Sequence, residues 1–197
     1  MFTRLRPARR PLAVWVSARA LTTLNVALFA VLTAASAQLA LTLPWTPVPV
    51  TGQVAAVLVS GVVLGARVGA ASQIAYLALG LAGAPAFAWS PILSQGALRL
   101  LGPTGGFLLA FPLAAWIAGR VSHAEEGHDI RRAVVSMACG LAALYVVGAV
   151  WLAWWSALDP LDALRGIVGN FLAADLLKIA ASAALVRPAR AALAYLR

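Results

Sequence analysis

Charged residues are scarce in this chain of 197 residues. They make up 11% of it, whereas 62% of the residues are hydrophobic and the mean hydropathy is +0.90. Several long stretches carry no charge at all, namely residues 20–66, 68–98, 100–119 and 133–158. Because a transmembrane helix needs about 20 predominantly apolar residues, this composition excludes a soluble domain and predicts an integral membrane protein.

Cysteine and histidine are almost absent as well. Cys139 is the only cysteine, so no disulfide can form within the chain, and its apolar surroundings favour a packing role. The two histidines, His123 and His128, lie in a polar loop at a spacing that fits no standard metal-ligand pattern. We therefore expect no metal site, and the lack of a histidine inside the apolar spans argues against an intramembrane protease.

The chain also lacks motifs that would power transport or mark secretion. It has no phosphate-binding Walker loop, so it cannot hydrolyse ATP itself. Its halves do not carry paired broken helices, which are typical of a self-contained secondary transporter. Residues 1–19 are basic but lack the apolar core and cleavage site of a signal peptide. We expect a membrane protein that is not an enzyme.

Breaks in the apolar pattern predict an all-α membrane domain, residues 20–187, between the basic segment 1–19 and a tail, 188–197. Its six predicted spans are residues 21–43, 52–66, 68–81, 104–121, 133–155 and 164–186. Between the third and fourth spans, residues 82–103 contain several glycines and prolines and cannot form one helix. We expect a re-entrant-like outer loop there, since irregular backbone at membrane depth must be buried or line a cavity.

The arginines predict that both termini are cytoplasmic. With that orientation only Arg99 and Arg165 fall outside. The inner arginines are Arg4, Arg6, Arg9, Arg10, Arg19, Arg67, Arg120, Arg131, Arg132, Arg187, Arg190 and Arg197. This asymmetry follows the positive-inside rule. Because the arginines are spread over all inner loops rather than one folded basic face, a nucleic-acid partner is not expected.

The last span holds two ionisable residues, Asp175 and Lys178, and Lys178 is the only lysine in the chain. Ionisable groups are costly at membrane depth, so by default they indicate a functional site. A spacing of three places both side chains on one helix face, where they can reach each other or a shared ligand. The spacing alone leaves open whether they bind a ligand or form a structural ion pair.

The corner that opens the fourth span is a second candidate. Backbone amides at Thr104, Gly105 and Gly106 would favour an anionic or acceptor-rich ligand, although a tight turn with close helix packing explains the glycines equally well. Arg99, the only charge in the broken loop, could pair with a ligand carboxylate or extend to water at the interface.

Aromatic and polar residues near the outer side complete the candidate site. Trp89 and Phe87 could wall an apolar pocket, or belong to an interfacial aromatic belt. Thr51 and Gln53 stand at the start of the second span, where they could contact a ligand or cap the helix.

The first span carries a stripe of small residues. Ala27, Ala30 and Ala34 lie at helical spacing, and small residues at such spacing allow membrane helices to approach closely. The stripe predicts a docking surface for a partner helix, although alanine is common throughout this chain.

Five short motifs appear in a fixed order along the chain. They are Pro47-Val48-Pro49-Val50-Thr51-Gly52-Gln53, Gly61 with Leu64-Gly65, Leu79-Gly80-Leu81-Ala82-Gly83-Ala84-Pro85-Ala86-Phe87, Gly102-Pro103-Thr104-Gly105-Gly106-Phe107, and Asp175-Leu176-Leu177-Lys178. Together they resemble the BioY family, the biotin-binding S-components of energy-coupling factor (ECF) transporters, over about residues 21–186.

Two places depart from the family pattern. Where the family tends to have Pro-Phe-x-Pro-Gly-Asp, this chain has Asn170-Phe171-Leu172-Ala173-Ala174-Asp175, and Phe107 stands where tyrosine is common. The departures concern a local helix bend and one hydroxyl contact.

The resemblance implies a six-helix protein of a prokaryotic cell membrane that captures biotin from outside. It would dock through its first helix, by the Ala30–Ala34 stripe, onto an energy-coupling membrane subunit driven by two ATPases. Asp175 would accept a hydrogen bond from a ureido N–H of biotin, and Lys178 would donate to an acceptor oxygen. The amides of Gly105 and Gly106, or Arg99, would hold the other polar end. An S-component for thiamine or riboflavin, and a structural subunit without a ligand, remain alternatives.

Overall fold

The computed structural model of this protein describes residues 18–89, 95–123 and 129–195. Its helices are α1 (Ala18–Ala37), α2 (Gln53–Leu64), α3 (Ala66–Leu81), α4 (Gly105–Ser122), α5 (Ile130–Ser156) and α6 (Pro160–Tyr195). A short 3₁₀ helix, Ala97–Leu101, precedes α4. The predicted helical class is confirmed, with one small addition: strands β1 (Ala40–Leu41) and β2 (Val50–Thr51) pair antiparallel between α1 and α2.

Four of the six helices are long and apolar enough to cross a membrane, namely α1, α4, α5 and α6. The other two, α2 and α3, have 12 and 16 residues. At 1.5 Å per residue α2 is about 18 Å long, shorter than the hydrocarbon core of about 30 Å. Six membrane crossings therefore remain a prediction as far as α2 and α3 are concerned.

The first helix is shorter than the span predicted at residues 21–43. Helix α1 ends at Ala37, where the chain turns and enters β1. The apolar run continues through this turn, and its backbone groups at Ala40 and Leu41 are satisfied by pairing with Thr51 and Val50. Hydrophobicity alone does not separate a helix end from a short strand that follows it.

The last helix is longer than the span predicted at residues 164–186. Helix α6 begins at Pro160, and it continues past residue 186 through Pro188 to Tyr195, so most of the predicted tail is helical. Arg190 anchors this extension, because its guanidinium donates hydrogen bonds to the Val62 carbonyl and the Ser122 hydroxyl. These bonds tie the end of α6 to the ends of α2 and α4.

Helix α4 lies at the centre of the bundle and contacts α2, α3 and α5, while α1 packs on α2 and α3, and α6 on α2 and α5. Small residues make these approaches possible. Ala114, Ala115 and Ala118 of α4 are fully buried, and a Cβ placed on Gly61 of α2 would lie 2.1 Å from the Ala115 carbonyl oxygen. Small residues at helix contacts are the usual means of close packing in membranes.

Gly65 separates α2 from α3. Its φ of 85° lies in the region that glycine adopts readily and other residues rarely do. Between α3 and α4, the described residues contain only the 3₁₀ helix as regular structure, and Pro91 lies outside the described residues. The re-entrant course expected for this loop remains a prediction. His128, expected in the loop before α5, also falls outside the described residues.

Candidate functional site

A cavity of about 600 Å³, counting its open mouth, brings most of the predicted site residues together. Its walls come from the connection between α1 and α2, the start of α2, the loop before α4, and helices α4, α5 and α6. Seven of the ten residues predicted to bind a ligand line it: Thr51, Gln53, Phe87, Arg99, Thr104, Asp175 and Lys178.

Asp175 and Lys178 form an ion pair at one side of this cavity. The Lys178 Nζ atom lies 2.7 Å from Asp175 Oδ1, one helical turn away, as the spacing of three predicts. The Asp175 side chain is almost fully buried, whereas the Lys178 side chain is 21% exposed. An ammonium group has three donors, and the described part of the chain takes up one of those on Lys178. The remaining donors are available to a ligand.

The second oxygen of Asp175 has a partner that sequence reasoning missed. The Tyr145 hydroxyl on α5 donates to Asp175 Oδ2 at 2.7 Å, and Tyr145 also lines the cavity. The carboxylate is therefore held from two helices. A signal was present, because a tyrosine in the middle of an apolar span needs a partner for its hydroxyl. A neutral hydroxyl costs less to bury in an apolar span than a charge does, so it is a weaker indication of a site.

Gln53 and Thr51 contribute a hydrogen-bonded polar group at the start of α2. Gln53 Nε2 donates to the Tyr76 hydroxyl at 2.5 Å, and Thr51 Oγ1 donates to Gln53 Oε1 at 3.1 Å. Thr51 Oγ1 also accepts from the backbone N–H of Gln53 at 3.3 Å. The N-cap position of α2 is Gly52, which has no side chain to cap the helix, so Thr51 contacts the first helical residue from one position further out. Thr51 lines the cavity as well.

Arg99 brings a buried positive charge to the cavity. It is only 2% exposed, and its Nη2 donates to the Ala88 carbonyl at 2.6 Å, so it does not extend into bulk water. Burial lowers the pKa of the Arg99 guanidinium. Arginine keeps its proton in proteins, so Arg99 is a cation here.

Thr104 presents a hydroxyl that lacks a partner among the described residues. Its Oγ1 is buried and the residue lines the cavity. Buried polar groups are nearly always hydrogen-bonded, so an exception needs an explanation. A ligand in the cavity would supply the missing partner.

Aromatic rings form the apolar part of the wall. Phe87 is fully buried, and its ring packs edge-on against Tyr76 with 5.6 Å between centroids. Space for this ring comes from Gly80, where an added Cβ would lie 2.2 Å from Phe87 Cζ. Three further phenylalanines line the cavity: Phe107, Phe111 and Phe171. Phe107 was noted in the sequence as standing where the family commonly has tyrosine, but Phe111 and Phe171 were not predicted as ligand contacts.

The structure does not bring Trp89, Gly105 and Gly106 into the cavity lining. Trp89 is 62% exposed. A Cβ on Gly105 would lie 1.9 Å from the Leu100 carbonyl oxygen, and one on Gly106 would lie 2.1 Å from Trp151 Cβ. Close packing therefore explains both glycines, which was the alternative to amide contacts with a ligand.

The predicted docking stripe on α1 needs a correction. Ala30 is 1% exposed and belongs to the core, and Ala34 packs against that core. Ala30 therefore faces its own bundle and does not meet a partner helix while the bundle is intact, whereas the docking role of the partly buried Ala34 remains a prediction. Ala27 is exposed, as are its neighbours Leu24 and Val31. The spacing does predict close helix packing, but periodicity does not tell which face of a helix is turned outward.

The connection between β1 and β2 reaches across to α6. Val48 and Pro49 of this connection line the cavity, and the Trp45 indole N–H donates to Asn170 Oδ1 at 3.0 Å. Asn170 precedes Phe171, another lining residue, in α6. This hydrogen bond joins two sides of the cavity that are 125 residues apart in the sequence.

Comparison with known proteins agrees with the resemblance. The model of the BioY family matches residues 9–195. A probable biotin transporter BioY from Pyrococcus horikoshii is 38% identical over 155 residues, which cover 79% of this chain and 87% of that protein. Another probable biotin transporter BioY, from Lysinibacillus sphaericus, is 33% identical over 157 residues, which cover 74% of this chain and 77% of that protein.

A solved structure shares the fold. It is the crystal structure of the S-component for biotin from an ECF-type ABC transporter, with a TM-score of 0.76, covering 87% of this chain and 92% of that one. The two sequences are 24% identical, so this likeness speaks for the fold alone.

Proposed function

Because the chain belongs to the BioY family, we propose that it captures biotin for uptake as the substrate-binding component of an ECF-type transporter. It is a multi-pass protein of a prokaryotic cell membrane and not an enzyme. The observation that carries this proposal is the cavity that combines the Asp175–Lys178 pair, the buried Arg99 and aromatic walls.

The chemistry of biotin fits the polar groups at the α6 side of the cavity. Its ureido ring has two N–H donors and one carbonyl acceptor. Asp175 accepts from a ureido N–H, and Lys178 donates to an acceptor oxygen while offsetting the aspartate charge. Hydrogen bonds that involve charged groups are among the stronger ones, more so away from water.

The other polar end of the ligand meets Arg99 and Thr104. Arg99 offers donors to the valerate carboxylate, and arginine binds carboxylates well because its planar donors match both oxygens. The Thr104 hydroxyl then gains the partner that it lacks in the described chain. The ring of Phe87 and the other aromatic walls cover the thioether ring.

The transporter assembly is part of the same proposal. Since the chain has no Walker loop, an energy-coupling membrane subunit and two cytoplasmic ATPases supply the energy. Both termini are cytoplasmic and the cavity opens to the outside. The exposed face of α1, including Ala27, is the surface that meets the energy-coupling subunit.

The test is equilibrium binding of biotin to detergent-purified protein, with thiamine and riboflavin as competitors. We expect saturable biotin binding that neither vitamin displaces. Displacement by thiamine or riboflavin would point to an S-component for that vitamin, and a well-folded protein that binds none of the three would contradict the proposal.

A further inference from the structure

The hydrogen bonds around Asp175 leave neither carboxylate oxygen without a partner. Lys178 Nζ donates to Oδ1 and the Tyr145 hydroxyl donates to Oδ2, each at 2.7 Å. The two donors come from different helices, α6 and α5, so they fix the plane of the carboxylate as well as its position. Tyr145 is itself buried, and it lines the cavity beside Asp175.

We propose that Tyr145 is a specificity-determining residue, which makes this site accept a neutral cyclic urea and reject the corresponding cationic guanidine. The inference rests on the proposed function, because it takes biotin as the ligand. Its basis is the hydrogen bond from Tyr145 to Asp175 Oδ2, because this bond occupies an acceptor site to which a ligand guanidinium could otherwise donate.

The charge balance of the cluster explains the discrimination. Asp175 and Lys178 cancel each other, and Arg99 is the third charged residue in the lining. A ureido N–H carries no net charge and needs only one remaining lone pair of the carboxylate, which has about four acceptor sites. A guanidinium would place a second cation close to Lys178, where the low dielectric makes repulsion strong.

Loss of the Tyr145 hydroxyl should raise the affinity for a guanidinium relative to the affinity for a urea. Without this hydroxyl, Asp175 Oδ2 is a buried acceptor that has lost its donor. Oδ2 can then accept a hydrogen bond from a second N–H of the ligand. A guanidinium can offer two parallel donors to a carboxylate, whereas a cyclic urea cannot place both of its N–H groups on one side. The variant therefore gains affinity for the guanidinium relative to the urea.

The experiment compares biotin with 2-iminobiotin, in which a guanidine that is protonated at neutral pH replaces the urea. Dissociation constants for both ligands are measured with the parent and with Tyr145→Phe, each checked for monodispersity. We expect the parent to prefer biotin, and the preference to fall about tenfold in the variant, the scale of one hydrogen bond to a charged group. A purely structural role for Tyr145 would weaken both ligands equally and leave the ratio unchanged.

Ser136→Ala is the matched control. Ser136 lies on the same helix, is fully buried, and donates to the Arg132 carbonyl at 2.7 Å without lining the cavity. The control should keep the preference of the parent. An unchanged preference in Tyr145→Phe, or an equal loss of preference in Ser136→Ala, would overturn the inference.

The outcomes separate the two proposals. A folded parent that does not bind biotin contradicts the proposed function. A parent that binds biotin, with a preference that Tyr145→Phe does not alter, contradicts only the role of Tyr145. Should Tyr145→Phe not fold, the parent still decides, since equal affinity for biotin and 2-iminobiotin would contradict the inference.

Discussion

Two buried clusters of polar side chains stand inside this apolar bundle, and they are built differently. The Gln73 cluster consists of Thr33, Ser60, Ser72 and Gln73, all fully buried. Gln73 Nε2 donates to the Ser60 and Ser72 hydroxyls at 3.0 and 3.1 Å. The single O–H of Thr33 donates to the Phe29 carbonyl at 2.8 Å and is shared with Gln73 Oε1, which lies 3.3 Å away. The cluster carries no charge and does not line the cavity.

The Asp175 cluster consists of Tyr145, Asp175 and Lys178. It contains two charges, and all three residues line the cavity. Each hydroxyl of the Gln73 cluster also donates to a carbonyl of its own helix, so the cluster has no donor left for a ligand. The ammonium of Lys178, by contrast, keeps donors that the described chain does not use.

The difference separates a structural cluster from a ligand site. A closed, neutral network joins α1, α2 and α3 without exposing any group to a ligand. A charged cluster with spare donors at a cavity is costly at membrane depth unless something else pairs with it. Changes in the Asp175 cluster should therefore affect binding first, and changes in the Gln73 cluster should affect stability first.

The largest effect is expected from Asp175→Asn and Lys178→Met. Either change removes a charge-assisted contact to biotin and leaves the other member of the pair with an uncompensated charge. We expect affinity for biotin to fall about a hundredfold or more, from a loss of about 3 kcal/mol. Isothermal titration calorimetry on folded variants measures this loss. If both folded variants bind like the parent, the Asp175 cluster is merely structural.

A smaller loss is expected from Gly80→Ala, which tests the aromatic wall. The added methyl group would overlap the Phe87 ring, because a Cβ at position 80 would lie 2.2 Å from Phe87 Cζ. Overpacking of this kind costs about 1–3 kcal/mol, and part of it should displace Phe87 from the cavity. We expect about a tenfold weaker biotin affinity. Gly166→Ala is the control, because a Cβ there meets nothing within 4 Å. Equal affinities of the two variants would contradict a role for Gly80.

Trp45→Phe should speed the release of biotin a few-fold. The change keeps an aromatic ring but removes the indole N–H that donates to Asn170. One exposed hydrogen bond contributes about 0.5–1.5 kcal/mol, which corresponds to about two- to tenfold faster release. Stopped-flow exchange of labelled biotin measures the rate.

Asn170→Ala removes the other half of the same bond. It should speed release to a similar degree, and the double variant should be no faster than either single one, as expected for residues that act through one contact. Additive effects of the two changes would show that this bond does not link the two sides of the cavity.

The smallest effect on affinity is expected from Gln73→Leu. The side chain of similar size removes the centre of the neutral cluster, so the unfolding temperature in detergent should fall by a few degrees. Biotin affinity should stay within about twofold of the parent, because no member of the cluster lines the cavity. A tenfold loss of affinity without unfolding would erase the distinction between the two clusters.

The sequence was sufficient for the Asp175–Lys178 pair because charges in an apolar span stand out, and a spacing of three fixes their shared face. The same reasoning did not single out the Gln73 cluster or Tyr145, although a tyrosine within an apolar span needs a partner for its hydroxyl. Neutral polar residues are inexpensive enough to occur anywhere in a span, and their partners lie on other helices.

The orientation of α1, the length of α6 and the packing of the two glycines that begin α4 depend on tertiary contacts that a single sequence does not reveal. Ala30 is turned inward because α1 packs on α2 and α3, and periodicity does not specify that rotation. The extension of α6 past Pro188 is held by Arg190 on the ends of α2 and α4. Gly105 and Gly106 resembled a ligand-binding corner, but their lack of side chains accommodates Leu100 and Trp151.

The most direct test of the account is an experimental structure of the purified protein with biotin bound. We predict that biotin occupies the cavity with a ureido N–H within hydrogen-bonding distance of the Asp175 carboxylate and an acceptor oxygen near Lys178 Nζ. A biotin molecule bound elsewhere, or bound in the cavity without a polar contact to either residue, would contradict the account.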